Sequence, residues 1–154
     1  MIAGGLYDWL LLAHVVAATA WVGGGALMSL LAARSLREGP EAVGRFVSQL
    51  RVIGPRFFAP AVVLVLALGI GLVIDDSEWT FGQPWILLGL GLYAAAFIIG
   101  VIFLSRSAIR AGRASSEGNE QAAARNLRTW IWGYRLVLLL LLVTMWDMVF
   151  KPGL

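Results

Sequence analysis

Long apolar segments alternate with shorter polar ones along this chain. The four apolar segments cover about residues 6–33, 57–74, 85–104 and 130–150. A helix that crosses a membrane needs roughly 20 mostly apolar residues, so each segment is about as long as one crossing. The pattern predicts an all-α integral membrane protein, a four-helix bundle in which residues 1–154 form a single membrane domain.

The polar segments between these spans differ in the sign of their charge. The first and third contain ten arginines: Arg34, Arg37, Arg45, Arg51, Arg56, Arg106, Arg110, Arg113, Arg125 and Arg128. The second contains acids and no basic residue: Asp75, Asp76 and Glu78. Cytoplasmic segments of membrane proteins are enriched in Lys and Arg. We therefore expect a bacterial cytoplasmic membrane protein with both arginine-rich segments in the cytoplasm and both termini on the outer side.

The first arginine-rich segment has the pattern of a short amphipathic helix. Gly39 and Pro40 mark its start. Apolar residues then recur at helical spacing, at Val43, Phe46, Val47 and Leu50. We expect this apolar face to lie on the inner membrane surface, where the arginines would contact anionic lipid headgroups. The arginines follow membrane topology, so the sequence indicates a lipid partner and no nucleic acid.

The composition excludes several kinds of chemistry. The residues are 60% hydrophobic and 14% charged, and the mean hydropathy is +0.83. The chain has no Cys, which excludes disulfides, thiolate metal sites, iron–sulfur clusters and covalently attached c-type haem. One His without Cys cannot supply the nucleophile, base and orienting group of a soluble hydrolase or transferase. Whether the protein is an enzyme of another kind stays open.

His14 is the single histidine and lies inside the first span. Ionisable residues within membrane spans usually face a bundle interior or a cavity, and they often mark a functional site. Helical spacing places Trp21 on the same face, and counting from the span ends places Leu66, Tyr93 and Thr144 near the same depth. Two interpretations follow. His14 is a structural residue bonded to Tyr93, Thr144 or a backbone carbonyl, or it is a ligand or proton-transfer group.

Residues near the outer ends of the spans complete the set of candidates. Met145 offers a thioether sulfur to a metal or to haem iron. Asp147 and Lys151 are four residues apart, a spacing that favours an ion pair. Asp8 and Asp147 could also form an outer acidic entrance with Asp75 and Asp76, or these acids could be a solvated interfacial rim. Tryptophans near span ends are typical of interfacial belts, and five are so placed: Trp9, Trp79, Trp85, Trp130 and Trp132.

Three short motifs resemble a known family. His14, Trp21, Gly23 and Gly24 form an H-x6-W-x-G-G pattern, and the other two motifs are the stretches Gly82-Gln83-Pro84-Trp85 and Met148-Val149-Phe150-Lys151-Pro152-Gly153. Together they resemble a family of small bacterial four-helix proteins known only as predicted integral membrane proteins. The likeness covers essentially the whole chain, and the role of that family is unassigned.

The first helix is also similar to two better understood groups. One is the membrane part of copper-resistance protein D, and the other is the haem-binding membrane protoporphyrinogen oxidase of bacteria. This resemblance implies a haem-ligand or metal-ligand role for His14 and a pocket-wall role for Trp21. The oxidase group uses further His and basic residues inside the membrane, and this chain has no second His.

Three functions agree with these observations. The first is a cofactor-binding protein that holds haem b or copper through His14, in a pocket formed with Trp21, Tyr93, Thr144 and Met145. A symmetric homodimer could supply two copies of His14 to one haem. The second is a scaffold or accessory subunit of a membrane complex. The third is a copper or proton transporter.

Overall fold

The computed structural model describes residues 5–153, which contain six α-helices and no strand. The helices are α1 Leu6–Glu38, α2 Pro40–Ile53, α3 Ala59–Asp75, α4 Pro84–Ile98, α5 Ser105–Ser116 and α6 Glu120–Phe150. π-Helical turns at Gly54–Phe58 and Ile99–Leu104 join α2 to α3 and α4 to α5. The chain thus forms four helical rods: α1, α2–α3, α4–α5 and α6. Each rod is long and apolar enough to cross a membrane, which confirms the predicted all-α fold.

The rods are longer than the apolar spans that they contain. α1 has 33 residues, so it is about 50 Å long, whereas the hydrocarbon core of a bilayer is about 30 Å thick. The extra turns are the arginine-rich segments, which are helical. The bundle therefore has an arginine end, where α1 meets α2 and α5 meets α6, and an acidic end, at the turn between α3 and α4.

Two tight corners close the arginine end. Gly39 has a φ of +107°, a conformation that side chains disfavour, so α1 can stop there and Pro40 can begin α2 at once. At the other corner, Gly118 has a φ of +71°. The side chain of Asn119 then accepts a hydrogen bond of 3.0 Å from the Ala122 N–H and caps α6.

The apolar face of α2 is covered by protein. α2 packs against α1, α5 and α6, and the buried residues on this face are Ala42, Val43, Phe46, Val47 and Leu50. Phe46 meets Trp130 edge to face, with ring centroids 6.0 Å apart. The expectation that this face lies on the membrane surface is therefore wrong. The interfacial role expected of Trp130 is wrong too, because its side chain is 3% exposed under α2.

Phe46→Ala tests this packing. We expect it to lower the free energy of unfolding by about 3 to 5 kcal/mol, the usual cost of truncating a buried Phe. Val52→Ala is the matched control, because Val52 lies on the same helix and is 49% exposed. Circular dichroism during thermal unfolding in detergent measures the stability of both variants. Equal and small effects would show that α2 does not pack on the bundle.

The second and third apolar segments, which form α3 and α4, stand apart from each other. α1 packs against α3 and α6, and α6 also packs against α4. Among the described residues, α3 and α4 are not a closely packed pair. The Tyr93 hydroxyl bridges them by donating a 3.2 Å hydrogen bond to the Val62 carbonyl. The space left between them, on the side of the acidic end, is the site described next.

Candidate functional site

A cavity of about 410 Å³ lies in the half of the bundle nearer the acidic end. All four rods line it, mostly with aliphatic and aromatic side chains. Small-molecule sites usually enclose about 300 to 1,000 Å³, so the cavity is of that size. Its lining includes every site residue suggested by the sequence: His14, Trp21, Tyr93, Thr144 and Met145.

His14 is enclosed on the side that faces α3. The residue is 7% exposed, and its Nδ1 atom is buried without a hydrogen-bond partner. The Val65 carbonyl lies beside the ring, but no hydrogen bond joins it to Nδ1. Gly69 makes the close approach possible, because a Cβ there would lie 3.1 Å from His14 Cε1. Nε2 is not buried in this way, and the residue lines the cavity.

The hydroxyl groups expected to bond His14 have other partners. Tyr93 donates to α3, and the Thr144 hydroxyl donates a 2.8 Å hydrogen bond to the Leu140 carbonyl of its own helix. The expected hydrogen bonds from His14 to Tyr93 and Thr144 are therefore wrong. Val65 and Gly69 lie against His14, and Leu66, expected near the same depth, lines the same cavity.

Two aromatic side chains close the cavity on the side of the arginine end. Trp21 is 4% exposed and meets Tyr93 edge to face, with ring centroids 6.0 Å apart. Trp21 is thus buried against another helix, as its position near the middle of the first span predicts. Together the two rings form a wall that is apolar toward the cavity.

Lys151 lines the cavity at the acidic end. Its Nζ lies 3.9 Å from the ring centroid of Trp79 and 5.4 Å from that of Trp85. These are cation–π distances. Trp85 is 8% exposed, so it is a buried wall residue and not a member of an interfacial belt.

Asp147 and Lys151 do not form the expected ion pair. Asp147 is 0% exposed, and both carboxyl oxygens lack a hydrogen-bond partner among the described residues. Asp147 is also not part of an acidic rim, because it is enclosed between helices, whereas Asp8 and Asp75 are exposed. The i,i+4 spacing identified the right residues but not their partners.

The metal-ligating groups near the cavity are few. Within residues 5–153, no three His, Cys, Asp or Glu side chains are placed to hold a metal ion together. His14 has no second His, Cys, Asp or Glu ligand in the described lining of the cavity, and Met145 contributes a thioether to the same lining. Sequence reasoning missed the roles of Gly69, Val65 and Lys151. The sequence feature that could have indicated this contact is Gly69, a residue without a side chain in a span of large aliphatic residues.

The fold and cavity define a class: an integral membrane protein of four long helices, with a buried histidine beside an apolar cavity. The chain belongs to the family described as "Predicted integral membrane protein (DUF2269)", whose model matches residues 8–152. That range includes His14, Trp21 and Lys151. No curated protein and no solved structure matches the chain. The similarity of the first helix to copper-resistance protein D and to the oxidase therefore stays a resemblance.

Proposed function

We propose that this protein binds a planar, largely apolar cofactor of the haem b class, with His14 Nε2 as its axial ligand. The environment of His14 carries the proposal. One ring nitrogen is enclosed beside the Val65 carbonyl, and the ring borders an apolar cavity. Histidines that bind metals almost always direct their other N–H to a carboxylate, a carbonyl or water. We assign that role to the Val65 carbonyl, which lies beside the ring although no hydrogen bond joins it to Nδ1.

The rest of the cavity suits such a ligand. Trp21 and Tyr93 offer flat apolar surface, and Met145 is available as a second axial ligand. Lys151 supplies a cation at the acidic end for the acid groups of an amphiphilic cofactor. A bare metal ion has less support, because it needs several protein ligands, whereas a porphyrin brings its own ring nitrogens. Haem shared between two copies of His14 has less support as well, since one chain already encloses the residue.

The same proposal includes an orientation in the membrane. The ten arginines lie toward one end of the bundle, and this distribution favours that end in the cytoplasm of a bacterium, with both termini outside. Arg56 and Arg106 lie where the apolar spans end, and both are exposed. We propose that they contact anionic headgroups there, each contributing about 1 kcal/mol.

Titration of the detergent-purified protein with haemin and with iron-free protoporphyrin IX tests the cofactor proposal. Both ligands would enter the cavity, but only haemin can bond to His14. We expect one haemin per chain and weaker binding of the porphyrin. Equal affinities would mean that the cavity binds without His14. Binding of neither would leave the scaffold and the copper or proton transporter as the remaining functions.

Gly69→Ala is expected to weaken haemin binding by about tenfold, the lower end of the effect of losing an outer-shell partner of a metal ligand. The added Cβ would press on Cε1 and turn the ring away from Val65. Gly91→Ala is the control, because no atom lies within 4 Å of the Cβ position there. Haemin titration of both variants gives the comparison. Unchanged affinity in Gly69→Ala would show that haemin binding does not depend on the ring orientation of His14.

A further inference from the structure

Asp147 carries a buried carboxyl group that the proposed cofactor site does not use. It lies near the end of α6, is 0% exposed, and has no hydrogen-bond partner for either oxygen among the described residues. Thr144 and Met148 on the same helix line the cavity, but Asp147 does not. Its carboxyl group faces α4. An ionisable group in a membrane span with no structural partner calls for a functional explanation.

The α4 surface opposite Asp147 is shaped to receive it. A Cβ at position 89 would lie 3.1 Å from Asp147 Oδ2, so Gly89 provides the space that the carboxyl group occupies. Trp85 lies one turn away on the same helix, and its Nε1 is also buried without a partner. The niche therefore places the carboxyl group against a glycine, and among the described residues nothing bonds to either of its oxygens.

The charged groups of the surrounding elements are engaged elsewhere. Lys151 holds its ammonium over Trp79, and His14 of α1 lies against α3. Asp8 at the start of α1 and Asp76 after α3 accept hydrogen bonds from nearby backbone N–H groups. Among residues 5–153, the remaining titratable groups near this end are at least partly exposed: Tyr7, Asp75, Glu78 and Tyr93.

We infer that Asp147 is a proton-binding site, and that its carboxyl group carries a proton in the arrangement seen here. An isolated carboxylate is very costly to enclose in an apolar environment, and a buried group of this kind takes up a proton instead. The neutral group can then pack against Gly89. It also gains an O–H donor.

The geometry also identifies a partner for the ionised form. The Lys151 N–H donates a 2.8 Å hydrogen bond to the Asp147 carbonyl, so the two side chains start one helical turn apart. When the proton leaves for the aqueous phase at the acidic end, a carboxylate remains. The Lys151 ammonium can pair with it by leaving Trp79. Since Lys151 and Trp79 line the cavity, the charge on Asp147 sets the arrangement of that wall.

Infrared spectroscopy of the protein in vesicles of ether lipids, which have no ester C=O group, tests this inference. A protonated carboxyl group has a C=O stretch that a carboxylate lacks. We expect wild-type protein to show this band at neutral pH and to lose it at high pH, and Asp147→Asn to lack it. Asp8→Asn is the control and should keep the band. Lys151→Met should keep it to a higher pH, because the ionised form would then have no cation to pair with.

Two results would overturn the inference. One is a wild-type spectrum without the band at neutral pH. The other is a band that persists in Asp147→Asn, which would assign it to another carboxyl group. Should Asp147→Asn fail to fold, a hydrophobic carbodiimide gives a second test on wild-type protein, because it modifies protonated carboxyl groups within membranes. Mass spectrometry should find Asp147 modified, and modification of exposed carboxyl groups alone would contradict the inference.

Discussion

His14→Ala is expected to remove the preference for haemin while leaving the four-helix fold intact. Loss of an outer-shell partner alone weakens metal binding by about 10- to 100-fold, so loss of the ligand itself should weaken haemin binding by more than about 100-fold. Binding of iron-free protoporphyrin should change little, because Trp21 and Tyr93 still wall the cavity. Ligand titrations measure both affinities, and circular dichroism reports the fold.

Ser29→Ala is the matched control for this variant. Ser29 is also a buried polar residue of α1, 6% exposed, but it does not line the cavity. The Ser29→Ala variant should bind haemin as tightly as the wild type does. Free imidazole added to His14→Ala should restore part of the haemin affinity, because the vacated space borders the cavity. Equal losses in the two variants would show that His14 acts through stability and not as a ligand.

Gly25→Ala is expected to destabilise the fold more than any other Gly→Ala change in α1. An added Cβ would overlap the ring and hydroxyl of Tyr134. Tyr134 is 5% exposed and packs between Phe58 and Trp130, with ring centroids 6.1 and 5.1 Å away. It cannot withdraw without opening that packing. Overpacking typically costs about 1 to 3 kcal/mol, and we expect a value near the top of this range.

Gly23→Ala is the control for Gly25→Ala, two residues earlier on the same helix. No atom lies within 4 Å of its Cβ position, so the change should be neutral or stabilising by up to about 1 kcal/mol through helix propensity. Thermal unfolding in detergent measures the difference. Similar melting temperatures for the two variants would contradict the close approach of α1 and α6 at Tyr134.

The four membrane-length helices could be predicted from the sequence because apolar length alone determines them. The corner at Gly39 and the start of α2 at Pro40 also followed from local backbone preferences. What covers the apolar face of α2 could not be predicted, because the same periodicity suits a lipid surface and a protein surface. Only the contacts of Phe46 with Trp130 decide between them.

The candidate cavity could be predicted in part. His14 and Trp21 share a helix, so their spacing places them on one face, and both line the cavity. The offset between different helices is not encoded in local spacing, so the close approach of Gly69 to His14 could not be predicted. The i,i+4 rule likewise could not reveal that Lys151 lies on Trp79 while Asp147 turns toward Gly89.

An absorption spectrum of the protein purified in detergent from haem-replete and copper-replete cells tests the central claim most directly. Oxidised and dithionite-reduced samples should be compared, with metal analysis of the same material. The cofactor account predicts a Soret band that sharpens on reduction, about one iron per chain, and no such band in His14→Ala. A colourless, metal-free protein with an intact fold would contradict it.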